Sequence, residues 1–139
     1  VTWFEPAWNA EGKKMRTALS CLALLAIAAT FSLAQEPSAT AVICSAIVNN
    51  SCEHPATKFP TSVGKVFGFS QVSNVPDKIV HVWYYKAREL GRVNLPVRAV
   101  HWKCWSSVSL DRTMVGPWRL EVLDGTGKML ASADFTVVQ

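Results

Sequence analysis

An all-β fold is what this sequence predicts, and three observations predict it. Half of the 139 residues are hydrophobic and six are Trp, a heavy use of side chains that suit a pleated, half-buried surface. Apolar and polar residues alternate in short stretches, as where Trp118, Leu120 and Val122 are interleaved with Arg119 and Glu121; that is the period of a strand with one buried side. Turn-forming clusters separate these stretches, the strongest being Asp124-Gly125-Thr126-Gly127, and no convincing amphipathic helix interrupts them.

The first 34 residues stand apart. Lys13, Lys14 and Arg16 form a basic flank around Met15, followed by an apolar run from Ala18 to Phe31 and then by Ser32-Leu33-Ala34. This is the layout of an export signal, with small residues where a signal peptidase reads, so a signal helix is expected and the mature chain is expected to start at Gln35. The run is short for a membrane span, so membrane attachment is expected only if that segment stays uncleaved. Val1 to Lys14 reads as an upstream extension, and Cys21 lies inside the apolar run, where lipidation does not follow. Removing three cations and two carboxylates with this segment lowers the formal charge from +4 to +3. That is too small a value to argue for a nucleic-acid partner. Export permits disulfides, for which Cys44, Cys52 and Cys104 are the candidates in the mature chain; spacing leaves both Cys44–Cys52 and Cys44–Cys104 open.

Residues 35–40 read as a short tether, and residues 41–139 as one domain. Its first strand is Ala41 to Val48, followed by an irregular connection through Pro60. Val63 to Val72 is the second strand, where Gly64 and Gly68 suggest a bulge or a close backbone approach. Asn74-Val75-Pro76-Asp77 turns the chain into the strongest strand, Lys78 to Tyr85. There Ile79, His81, Trp83 and Tyr85 share one face, and Val80, Val82 and Tyr84 the other. A reversal over Lys86 to Gly91 leads into Arg92 to Val97, which Pro96 confines to an edge or a strand end. Ala99 to Ser106 follows, with His101, Lys103 and Trp105 on one side and Val100, Trp102 and Cys104 on the other. After a connection from Leu110 to Gly116 come the strand at Trp118 to Val122, the glycine turn, and a closing strand from Met129 to Val138. About seven strands at short spacing predict an antiparallel, immunoglobulin-like β-sandwich.

Five motifs, Val66-Phe67-Gly68-Phe69, His81-Val82-Trp83-Tyr84-Tyr85, Trp102-Lys103-Cys104-Trp105-Ser106-Ser107, Gly116-Pro117-Trp118-Arg119-Leu120-Glu121-Val122 and Gly127-Lys128-Met129-Leu130, carry a resemblance. Together they resemble a bacterial domain-of-unknown-function family, number twenty-nine-fourteen, over nearly the whole mature chain. The resemblance implies an envelope-associated β domain, often joined to membrane segments, and implies no established activity.

Chemistry is sparse in this pattern. Ser106-Ser107 lacks the Gly-x-Ser-x-Gly elbow of a hydrolase, no phosphate-cradling glycine loop occurs, and Asp124 is one carboxylate where a calcium loop needs several. The aromatic face has two readings: half of the core, since buried aromatics dominate core energetics, or a binding platform. In the platform reading His81, Trp83, Tyr85, His101, Lys103 and Trp105 share a side and stack on sugar rings or a partner's apolar groups. A different class is a small copper or zinc metalloprotein or oxidative enzyme using His81 and His101; parity sends Cys104 to the face opposite His101, so a third ligand is missing. The function expected is therefore an exported, periplasmic or extracellular module, non-enzymatic, without cofactor, that binds an envelope protein or polysaccharide.

Overall fold

The computed structural model describes residues 35–139; the expected signal helix, the upstream extension, Cys21 and the bond at which cleavage is expected to leave Gln35 lie in or border the segment outside the described residues. The described chain is all-β, with ten strands in two five-stranded sheets. In chain order the strands are β1 (Ser38–Ala39), β2 (Val42–Val48), β3 (Ser51–Pro55), β4 (Lys58–Pro60), β5 (Lys65–Ser73), β6 (Lys78–Tyr85), β7 (Arg88–Pro96), β8 (His101–Ser109), β9 (Gly116–Asp124) and β10 (Met129–Val138). The first sheet is centred on β5, which pairs with β8 on one side and with β1 and β2 on the other, while β3 adds to β2. The second sheet runs β4-β10-β9-β6-β7. All these pairs are antiparallel except β4 with β10, which is parallel.

Three strands exceed the seven expected. β1 lies in the stretch read as a tether and pairs Ser38 with Ser73. β3 and β4 lie in the stretch read as irregular. The β2–β3 hairpin closes through Asn49 and Asn50, both at positive φ (51° and 58°), the conformation of a two-residue type I′ turn, which Asn tolerates. The three residues of β4 are too few to show a period, and only the distant partner β10 makes them a strand. The reversal after β6 is likewise tighter than expected. Lys86 and Ala87 (φ 50° and 65°) form the whole turn, so Arg88 to Gly91 already belong to β7.

The sheets share two cores. In one, Ile43 and Val66 of the first sheet meet Trp83, Trp118, Leu120, Phe135 and Val137 of the second. In the other, Val72 and Cys104 meet Ile79 and Val122. Burying each large aliphatic residue contributes roughly 1.5–3 kcal/mol, so the inner faces carry most of the stabilisation. Gly68 sets how closely the sheets approach: a Cβ built there would stand 2.4 Å from Leu120 Cδ2 and 2.9 Å from Trp83 Cζ2. This is the close backbone approach the glycine suggested.

Candidate functional site

Sheet pairing decides which side of β6 is hidden. Its neighbours β7 and β9 are in the second sheet, whereas β8 belongs to the first, so the six residues of the expected platform do not come together. Ile79, His81, Trp83 and Tyr85 point inward, and His81 and Trp83 are 0% and 2% exposed. The His81 imidazole spans the gap between the sheets. Its Nε2 is 2.8 Å from Ser70 Oγ on β5 and its Nδ1 is 2.7 Å from Ser106 Oγ on β8, while Trp83 Nε1 donates to the same Ser106 oxygen at 3.0 Å. A neutral imidazole needs one donor and one acceptor, and two hydroxyls that rotate freely supply both. Burial holds its pKa down at about 4, from the ordinary 6.5, because no carboxylate accompanies it to stabilise a charge. Tyr85 ends the row: its ring tilts against Trp118 at 4.9 Å, and its hydroxyl donates to the Val115 carbonyl at 2.8 Å, anchoring the β8–β9 connection.

The other three expected site residues form a surface of their own. His101, Lys103 and Trp105 alternate on the outer face of β8, and with Asn50 and Trp102 they line a shallow recess of about 440 Å³. The Asn49–Asn50 turn thus reaches the outer face of the first sheet. Trp105 is half-buried and stacks on Phe69 (6.0 Å between ring centres, 16° between planes), so the larger ring is held in place by the smaller. His101 Nδ1 lies 3.1 Å from Ser73 Oγ. Since His81 lies inside the first sheet and His101 outside it, one metal ion does not reach both.

A third locus escaped the sequence. The outward residues of the second sheet fall into rows set by register: Tyr84 opposes Arg119, and Arg119 opposes Asp134. With Lys86, Ala87, Pro117 and Glu121 they line a recess of about 620 Å³. Arg119 Nε donates to Glu121 at 3.1 Å and its Nη1 to Asp134 at 3.2 Å, while the Tyr84 hydroxyl donates to the second Glu121 oxygen at 3.3 Å. Desolvation and the Glu121 carboxylate raise the Tyr84 phenol above its ordinary range, so it stays a donor. In the sequence Arg119 and Glu121 read only as the wet side of a strand. Their convergence with Asp134 needs the β9–β10 register, and no local signal carries that.

The family model of a protein of unknown function, DUF2914, matches residues 76–137. Over that segment the chain is similar to the DUF2914 family. It is the family the motifs resemble, over a shorter stretch than those motifs suggested: β1 to β5, including Phe67 to Phe69, precede the match. The DUF2914 segment supplies β6 to β9 and nearly all of β10, and hence all eight lining residues of the larger recess. The buried network crosses its boundary, since Ser70 precedes it. No curated protein matches the chain.

The cysteines divide as one of the two open pairings had it. Cys44 and Cys52 are joined across the β2–β3 hairpin with their Cα atoms 5.8 Å apart, and Cys104 is a free, buried thiol. Burial pushes Cys104 up to about 11, so it remains protonated and packs as an apolar group. Among the described residues Ser106 and His81 make the shortest of three serine–histidine contacts with the spacing of a catalytic dyad, yet the serine oxygen already accepts the Trp83 N–H and both residues are buried. Here the pair fastens one sheet to the other.

Proposed function

We propose that this domain is an exported, non-enzymatic binding module of the bacterial cell envelope, an immunoglobulin-like β-sandwich that holds a protein or polysaccharide partner on the outer face of its first sheet. The observation that carries this reading is Trp105, laid flat on Phe69 beside His101, Lys103 and Asn50 around one recess. A ring fixed in advance loses little conformational freedom when a partner stacks on it, and the flanking imidazole, amine and amide supply directional hydrogen bonds.

Two further features support the reading. The Cys44–Cys52 disulfide suits an oxidising compartment, where such bonds persist. For the finer fold, a buried tryptophan on strand C, packed between the two sheets, is a hallmark of immunoglobulin domains. Trp83 is likewise buried between the sheets, facing Gly68 of β5 and beside its cross-strand neighbour Leu120 of β9.

Retention on envelope membranes and on isolated envelope polysaccharide tests the function. Trp105→Ala and Lys103→Glu are expected to release the purified domain from whichever fraction retains it, while far-ultraviolet circular dichroism and a cooperative thermal unfolding transition are kept. Undiminished retention by both folded variants would overturn the assignment of binding to this face.

A further inference from the structure

We propose that the recess on the outer face of the second sheet is a binding site for a neutral sugar unit. This goes beyond the Trp105 surface, which lies on the opposite outer face. Charge argues first. The lining holds two cations, Lys86 and Arg119, and two carboxylates, Glu121 and Asp134, with the guanidinium already bonded to both carboxylates. An anionic ligand meets the carboxylates and a cationic one meets Lys86 and Arg119, so neither sign gains from entering. A neutral polyol gains from all four, because each hydroxyl both donates and accepts.

Pre-organisation argues second. Arg119 is held by Glu121, Asp134 and Ser132, and Glu121 is held in turn by Tyr84. The Lys86 stem lies over Gly116, where a Cβ would stand 3.0 Å from Cε, and its amine sits 5.4 Å from the centre of the Tyr85 ring. Among the described residues that amine has no carboxylate partner, so its N–H groups are available to a ligand. The Asp134 side chain is 72% exposed and keeps acceptor capacity after bonding Arg119. Lys86 and Asp134 line the recess together with the Tyr84 ring and Pro117, an apolar surface that suits the C–H face of a pyranose. The volume, about 620 Å³, lies within the usual range for small-ligand sites and accommodates a disaccharide.

Titration of the isotope-labelled chain by heteronuclear NMR tests this, using cellobiose, maltose, lactose and diacetylchitobiose as neutral probes and digalacturonate as the acidic one. At least one neutral disaccharide is expected to shift the Arg119 side-chain N–H and the Lys86 and Ala87 amides saturably. Tyr84→Ala and Asp134→Ala are each expected to weaken that binding about tenfold or more, and Trp105→Ala to leave it unchanged. Asp134 is exposed enough for its truncation to spare the fold, so the test survives if Tyr84→Ala unfolds. The proposal fails if no neutral disaccharide produces saturable shifts, if digalacturonate binds more tightly, if Asp134→Ala binds as wild type does, or if Trp105→Ala abolishes the effect.

Discussion

His81 on β6 and His101 on β8 sit on strands of similar make, one reading His-Val-Trp and the other His-Trp-Lys-Cys-Trp. Inside, the His81 ring is clasped by two serines and shares one of them with Trp83. Outside, the His101 ring meets Ser73 at the surface, and Trp105 covers Phe69 instead of filling a core. The same residue types therefore do opposite work. What separates them is the sheet each strand joins: β6 is flanked on both sides and turns its histidine toward the other sheet, while β8 pairs with β5 alone.

The comparison breaks most visibly if the inner histidine proves dispensable. His81→Ala removes a fully buried ring and leaves the Ser70 and Ser106 hydroxyls each short of a partner. Cavity formation and unpaired polar groups together are expected to cost about 3–5 kcal/mol, a large share of the roughly 5–15 kcal/mol that holds a domain together. His101→Ala is expected to change stability by less than about 0.5 kcal/mol. Urea unfolding of the two variants side by side makes the measurement, and equal midpoints would show that the buried network contributes nothing.

Acid gives the next largest contrast. His81 is held at about 4 in the folded protein against 6.5 when free, so between these values the unfolded chain binds a proton that the folded one does not. Stability from this group is fully present above pH 6.5, falls as the pH drops toward 4, and changes no further below that. A shift of this size corresponds to about 3 kcal/mol. The loss should be seen in chemical denaturation between pH 7 and 4 and should be largely absent in His81→Gln. If the variant and the wild type lose stability in parallel, the acid sensitivity arises elsewhere.

How much of this was legible depends on which strand is considered. β9 and β10 announce themselves because each packs one row of side chains into the core and so alternates, as Trp118, Leu120 and Val122 do, while β6 announces itself as an unbroken run of strand-forming residues. The face-sharing sets were legible too, His81 with Trp83 and His101 with Trp105, because parity along a strand is local. The assignment of those sets to inside or outside was not, since it depends on β6 and β8 joining different sheets. β3 and β4 were illegible for a related reason: they are short, polar or proline-bearing, and only a turn of two left-handed asparagines and a parallel partner over seventy residues away make them strands. The Tyr84–Arg119–Asp134 recess shares that fate, because register across three strands assembles it.

A narrower contrast sharpens the comparison most, because it makes one chemical deletion at two sites. Trp83→Ala removes a ring that is 2% exposed, bonded to Ser106 and packed edge-on to Phe135 at 6.3 Å, and is expected to cost about 3–5 kcal/mol. Trp105→Ala removes a half-buried ring whose main contact is the stack on Phe69, so the expected cost is about 1–2 kcal/mol. The variant should therefore stay folded at room temperature while the surface it leaves loses its flat ring. Thermal unfolding followed by circular dichroism measures both. A Trp105→Ala cost matching that of Trp83→Ala would mean the outer ring is core in all but position, and the first sheet would then have no aromatic platform to offer a partner.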